Sequence, residues 1–379
     1  MVDAVKILLD CRFQKGAGAN VTTEYLVARI LDAGGENEYL ILQHAHQSFG
    51  DAVDVRKIIV PTTHRLAEFL WIQFALPRIL KLERVDVYHS LKHFGPLWTR
   101  GKTILMNRAV SQFLPGHQKL SFVDWFYWTV IGRMAWRRAT RVIPLSSVCR
   151  DVLIERAGID PEQILVIPHG IDPIFQPANE QKASKTWRAE HGLPEKYLLC
   201  VGNVYTHKNY DTVVRAFHAL REEGVLDTRY KLVIAGSASD GSEILTRVIG
   251  ELGCSDDVLL TGFIPHATLL AFYQGAELFL FPSRYEAFPN PVLEAMACGV
   301  PVVASAGGAI PEISGGAALL VESVTDPTAF ADAIRSVVCD TSRRRGLVEA
   351  GLQRAAAFSW DATARRFLDL YAEVTATGP

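Results

Sequence analysis

The chain has 379 residues, 49% of them apolar and 21% charged, with a formal net charge of −2. That length exceeds one ordinary compact core and predicts two domains of a folded enzyme rather than a disordered chain. The near-neutral charge excludes a general binder of nucleic acid or other polyanions.

Short apolar runs alternate with helical patterns throughout, the pattern of βαβ units and parallel sheets, so the fold class is α/β. In the first half the predicted strands are Val5–Leu9, Tyr39–Leu42, Val87–His89, Thr103–Met106, Arg141–Leu145 and Ile164–Ile167. A helix with apolar positions at Tyr25, Leu26, Ile30 and Leu31 follows the first of them. Gly170 closes this half, and Pro173, Pro177 and the polar run 179–185 read as a linker. The second half restarts with YLLCVG (197–202) and a helix near Asn209–Leu220. It continues through KLVIAG (231–236), DVLLTG (257–262), ELFLFPS (277–283) and PVVAS (301–305), with helices between. The boundaries are therefore 1–172, a linker at 173–195, 196–358, and a last helix in 359–379 that is free to pack back on the first half. In doubly wound sheets ligands sit beyond the carboxyl ends of the strands, so two such halves facing each other make a cleft.

Charge is divided unevenly: residues 1–170 hold 21 basic against 16 acidic residues, and the remainder holds 18 against 25. The six cysteines form no C-x-x-C pair, and Cys200 and Cys298 sit in apolar runs that suit buried thiols. Val5–Asp10 reads as a strand, not as part of a signal peptide, and the most apolar stretch, Leu66–Leu82, is interrupted by Glu68, Pro77 and Arg78. A cytoplasmic protein that touches a membrane without crossing it is the expectation. One segment fits such contact: Phe122, Trp125, Phe126, Tyr127, Trp128 and Trp136 are interleaved with Arg133, Arg137, Arg138 and Arg141. Aromatics beside cations suit the inner face of a membrane or a lipid-linked acceptor, and equally an ordinary core with a wet face.

The stretch PSRYEAFPNPVLEAMACGVP (282–301) carries the chemistry. Asn290 then Pro291 read as the cap and first position of a short helix, and Gly299 then Pro301 as its stop. Backbone N–H groups near Val292 and Leu293, with the positive end of the helix dipole, make a place for a diphosphate. Glu286 precedes the helix and Glu294 lies a turn inside it, so the two carboxylates address opposite ends of one ligand.

This string resembles the E-x7-E signature of retaining GT-B glycosyltransferases of family four, with Glu286 and Glu294 in the signature positions. The resemblance runs on through KGAG (15–18), PLSS (144–147), IPHGID (167–172), VGNVYTHKN (201–209), LVIAG, LLTGFI and PEISGGAALLVE (311–322). It implies a GT-B fold of two Rossmann-like domains and a nucleotide-diphosphate sugar donor. The acceptor it implies is a saccharide or a lipid-linked saccharide. By resemblance, Glu294 binds the ribose hydroxyls and Glu286 the donor sugar near the reacting carbon. Lys208 then offsets charge on the diphosphate without any metal or other cofactor. Gly16 and Gly18 let backbone approach the donor, Phe263 and Ile264 flank the base, and Phe288, Pro289, Asn290, Pro291 and Val292 complete the donor site.

The chain departs from the family pattern in two places. Relatives often carry an Arg where Asn203 or His207 stands, and only neutral Asn or part-charged His is available here. Relatives also often read His-Asp where this chain has Asn107 and Arg108, so an imidazole is missing; His117 is a candidate substitute on the acceptor side, and a surface loop residue otherwise. The structural alternatives are a salt bridge to Arg284 for Glu286, a solvated loop for Lys208 and a strand-end hydrogen bond for His89. Against the transferase stands a sugar-nucleotide binder without catalysis, kept open by Asn107 and Arg108; a phosphorylase would need a much longer chain.

Overall fold

A computed structural model of the chain describes residues 4–12, 17–49, 54–92, 94–99, 101–108, 110, 126–178 and 192–376. Gly16 and His117 lie outside these residues, as do Phe122 and Trp125. The chain divides into two compact units: residues up to Gly170 together with those from Ser359 onward, and Ile171–Phe358.

The first unit is built on strands β1 (Lys6–Asp10), β2 (Glu38–His44), β3 (Arg56–Val60), β4 (Val87–Ser90), β5 (Lys102–Asn107) and β6 (Arg141–Pro144). They form one parallel sheet in the order β3-β2-β1-β4-β5-β6. Ile7, Leu8, Leu9, Ile104 and Val142 are fully buried because helices cover both faces, and that is why these strands read as continuous apolar runs. The helices are α1 (Ala17–Ala33), α2 (Arg65–Leu82), α3 (Gly132–Arg138) and α4 (Ser147–Val152). Ile164–Ile167 is not a strand. It runs extended beside β6 with a single bridge, Val142 to Ile164, and its N–H groups at Leu165 and Ile167 reach the carbonyls of Val142 and Pro144.

The second unit holds β7 (Lys196–Val201), β8 (Tyr230–Ala235), β9 (Val258–Gly262), β10 (Leu278–Phe281), β11 (Val302–Ser305) and β12 (Leu319–Val321). The sheet is again parallel, in the order β12-β11-β10-β7-β8-β9. Counted from the start of each unit, both sheets follow the same doubly wound order, so each has a switch point beside its first strand: β1/β4 in one and β7/β10 in the other. The helices here are α5 (Tyr210–Glu222), α6 (Ser242–Glu251), α7 (His266–Gly275), α8 (Asn290–Ala297), α9 (Ile310–Ser314), α10 (Pro327–Val338) and α11 (Thr341–Ala356). On α5, Val213, Val214, Phe217 and Leu220 form the inward face, packed with Leu198, Leu232 and Ile334.

The last helix, α12 (Trp360–Ala376), belongs to the first unit. Trp360 stacks on Tyr25 of α1, the Thr363 hydroxyl donates to the Pro168 carbonyl, and Arg366 donates to that of Val166. Tyr371 meets His89 Nδ1 at 2.6 Å. Gly170 is required where the chain crosses this helix, because a Cβ there would lie 2.3 Å from the Trp360 nitrogen.

The described part of the aromatic segment divides between core and surface. Trp136 is fully buried against Phe94, and Tyr127 meets Phe69 and Phe94 edge-on. Arg133 and Arg137 donate to the carbonyls of Arg156 and Gly158, and Arg141 pairs with Glu373; Phe126 is exposed. Among the described residues no helix is long and apolar enough to cross a membrane.

Candidate functional site

The loops that leave β7 and β10 meet at the switch point of the second sheet. After β7 the chain makes a short 3-10 turn, Thr206–Lys208, and enters α5 through Asn209, whose φ of 60° is left-handed. Asn tolerates that conformation better than other side chains when its amide is satisfied locally. Here the buried amide donates to the carbonyls of Pro282 and Val324, and its oxygen accepts from Thr212 and Arg284. Asn209 therefore ties the loop carrying Lys208 to the loop carrying Glu286.

That tie brings Lys208 Nζ to 2.6 Å from Glu286 Oε1. Both side chains are mostly buried, and Ser283 Oγ donates to the same carboxylate oxygen at 2.6 Å. The ammonium also sits 4.9 Å from the centre of the Phe281 ring, a favourable cation–π position. Glu286 Oε2 has no protein partner among the described residues, so one carboxylate oxygen is fixed and the other is available. Gly202 and Gly308 make the close approaches possible. Gly202 holds a φ of 136° that favours glycine, with the Tyr210 hydroxyl 3.1 Å from where a Cβ would stand, and a Cβ on Gly308, at φ 60°, would lie 2.5 Å from the Glu286 carbonyl oxygen. Arg284 is not the partner of Glu286; its guanidinium is engaged with Asn209.

Glu294, one turn into α8, accepts a 2.8 Å hydrogen bond from the Tyr273 hydroxyl at Oε2. Burial raises its carboxyl above the ordinary range, offset in part by the Tyr273 hydroxyl and by His266. His266 is in turn 2.8 Å from Asp172 and meets Phe175 edge-on, and Phe175 meets Tyr273. The helix start differs from the sequence expectation by one residue. Pro289 occupies the cap position, Asn290 is the first helical residue and makes no cap, and Val292 N–H donates to the Pro289 carbonyl. The side chains of Val292 and Phe288 are buried, while Pro291 and Asn290 are half-buried, and with its N–H on the Pro289 carbonyl Val292 does not supply the amide expected for a diphosphate.

The other candidates are more scattered. Asn203 is exposed, and its side-chain oxygen accepts from Ser237 N–H, holding the loop rather than a donated charge. Phe263 presents a phenyl ring 57% exposed just beyond β9, with Ile264 half-buried beside it. Gly18 lies in the first turn of α1. In the first unit Asn107 ends β5, fully buried, and among the described residues neither atom of its amide has a hydrogen-bond partner. Arg108 reaches the hydroxyls of Thr22 and Thr23 on α1, and burial lowers its pKa to about 10. His89 is neutral, its pKa pulled to about 3 by burial and the nearby Arg108 charge. Three contributors escaped the sequence reading: Ser283, which stands inside the PSRYE string; Asn209, read as the end of VGNVYTHKN and the start of a helix; and Tyr273, for which no local signal exists.

A family model described as Glycosyl transferases group 1 matches residues 183–354, and one described as Glycosyltransferase Family 4 matches residues 16–175. A D-inositol 3-phosphate glycosyltransferase of Catenulispora acidiphila is 33% identical over 62% of this chain and 57% of the relative. One of Salinispora tropica is 35% identical over 59% and 49%. The chain thus matches about half the length of these curated relatives. Among solved structures, a glycosyltransferase from Rickettsia africae superposes with a TM-score of 0.77 at 18% identity, over 99% of this chain and 100% of the other. Anabaena HepE in complex with UDP and glucose superposes at 0.75 and 18% identity, with the same coverage. With two parallel sheets of one doubly wound order, these likenesses define the fold as GT-B, and the chain belongs to the group 1, family 4 glycosyltransferases.

Proposed function

We propose that the chain is a retaining glycosyltransferase that moves a hexose-type sugar from a nucleotide-diphosphate donor to a saccharide or lipid-linked acceptor, without a metal. The observation that carries this reading is the pairing of Lys208 and Ser283 on one oxygen of Glu286, at the switch point where doubly wound sheets bind ligands. In the transfer, the bond from the sugar carbon to the phosphate oxygen breaks and a bond from that carbon to the acceptor oxygen forms. The acceptor proton goes to the departing phosphate, so the products are a glycoside and a nucleoside diphosphate. Both events on one face of the sugar retain its configuration.

Lys208 offsets the charge that grows on the diphosphate, a contribution that needs no cation from solution. Glu286 accepts hydrogen bonds from sugar hydroxyls through Oε2, and Glu294 from the ribose through Oε1, the oxygens that Lys208, Ser283 and Tyr273 leave available. Phe263 supplies an exposed face for the base. Asn107, whose buried amide lacks a partner among the described residues, and Arg108 are assigned to the acceptor, together with His117; Gly16 and Gly18 are assigned to the donor phosphates. The curated relatives named for D-inositol 3-phosphate make a polyol phosphate the first acceptor to try. A cytoplasmic site of action with peripheral contact at the inner membrane face belongs to the same reading, with exposed Phe126 as the support that the described part of 122–141 offers.

Thermal unfolding against UDP-, GDP- and ADP-sugars tests the donor. A true donor at a hundredfold excess over its Kd stabilises the native state by about 2.7 kcal/mol. Transfer from that donor should proceed equally fast in excess EDTA. If no nucleotide sugar raises the melting temperature, the donor assignment fails; a rate restored only by magnesium or manganese contradicts metal independence.

A further inference from the structure

At the end of the first unit's sheet opposite to His89 and Asn107, the starts of β1, β4 and β5 open onto a groove of about 1410 Å³. Its walls come from α2, the segment after β4, α3 and the last turn of α12. Helix α2 directs Ile72, Leu76 and Leu80 inward, as a core-facing helix must. Its outward face is the anomaly. Leu66, Leu70, Phe74, Arg78 and Lys81 follow one another at three- and four-residue steps, all exposed, Leu66 by 62% and Phe74 by 59%. Trp98 adds an indole that is 61% exposed, with the Arg138 guanidinium 5.8 Å from its centre.

The charges around this surface share one sign. Arg78, Lys81, Arg84, Lys102 and Arg138 line the groove, against one carboxylate, Asp86, which already accepts the Lys6 N–H. Among the described residues none of Arg78, Lys81, Arg84 and Arg138 has a carboxylate within ion-pair distance. The exposed face of α2 from Leu66 to Lys81 carries no acid at all.

We infer that this face of α2, with Trp98 and the cationic rim of the groove, is where the protein lies on an anionic lipid bilayer. Apolar side chains three to four residues apart, closed at one end by cations and flanked by an exposed indole, match the geometry of an in-plane interfacial helix. Cations without acidic partners match a negatively charged surface. The same feature disfavours a second copy of the chain, because a twofold contact through the exposed face of α2 brings these cations no acidic partner. This inference does not depend on the donor site, which lies in the other unit.

The test is co-sedimentation of the full chain with vesicles of phosphatidylcholine, alone or mixed with phosphatidylglycerol, across a range of salt. The parent protein should bind the mixed vesicles only, and less as salt rises. R78E/K81E should lower the partition coefficient on the order of tenfold, and L70S/F74S should lower it at low and high salt alike. Nucleoside diphosphate affinity and the circular dichroism spectrum should be unchanged in both. Equal binding to neutral vesicles, no binding by the parent, or parent-like binding by both variants overturns the inference. So does a self-association of the parent that L70S/F74S abolishes while vesicle binding persists.

Discussion

At the switch point of the second sheet, Lys208 and Glu286 keep part of their hydrogen-bonding capacity uncommitted: Oε1 is fixed by Lys208 and Ser283, and Oε2 is not. At the matching point of the first sheet the charges are spent on one another. Arg12 is 1% exposed and donates to both oxygens of Asp10 and to Glu68; Tyr88 donates to Asp10, and Lys92 sits 3.5 Å from Glu68. Burial alone pushes the Asp10 carboxyl up, but Arg12, Tyr88 and Lys92 together outweigh it and hold the group below its ordinary value. One switch point leaves a carboxylate oxygen uncommitted, and at the other the charged groups hold β1, β4 and α2 together. Charged residues at the carboxyl ends of strands are thus a poor guide to function until their remaining valence is counted.

Arg12 should be the costliest of these residues to replace. Arg12→Met leaves Asp10 buried without its partner, and loss of one member of a buried pair costs about 3–5 kcal/mol. Chemical denaturation should record that loss, whereas Lys208→Met, in the open edge, should cost well under half as much. Similar losses in the two variants would erase the distinction. A pH titration gives a comparable effect. His89 has a folded pKa of about 3 against an ordinary 6.5, so the unfolded chain binds the extra proton between those values. Its contribution is complete above pH 6.5 and is lost as pH falls toward 3. His89→Gln should flatten the slope of stability over that window. An unchanged slope would mean that His89 does not titrate as its burial requires.

The smallest effect sharpens the open edge. Tyr273→Phe removes the hydroxyl that fixes Glu294 Oε2 and should weaken nucleoside diphosphate binding by about 1 kcal/mol. Turnover at saturating donor should stay near the parent value, since Tyr273 acts through Glu294. A fall in turnover with no change in affinity would assign the tyrosine to a different step.

The sequence made the sheets legible because strands covered on both faces are apolar runs bounded by Gly, Ser or turn residues. It hid β3 and β12 for the converse reason. RKIIV is an edge strand with Ile59 exposed, and LLV is three residues long, so neither carries the continuous run. The helix around Glu294 was legible from its prolines and Gly299. Its cap was displaced by one residue because Asn290 N–H bonds back to Phe288 and the Asn side chain never reaches the helix amides. Glu286, Glu294 and Lys208 were legible as residue types within a motif. That Lys208 and Glu286 pair across 78 positions was not, because Asn209, at a left-handed φ, is what draws their loops together.

The division of labour between the two glutamates is the central claim, and one paired measurement addresses it: nucleoside diphosphate titration beside steady-state kinetics for Glu286→Gln and Glu294→Gln. Glu294→Gln should lose roughly 1–2 kcal/mol of nucleoside diphosphate affinity, as charge-assisted contacts to ribose become neutral ones. Glu286→Gln should keep that affinity and lose turnover on the order of a hundredfold, the cost of one transition-state electrostatic contact. If Glu286→Gln weakens nucleoside diphosphate as much as Glu294→Gln, or turns over at the parent rate, the carboxylate beside Lys208 is not the one that meets the reacting sugar.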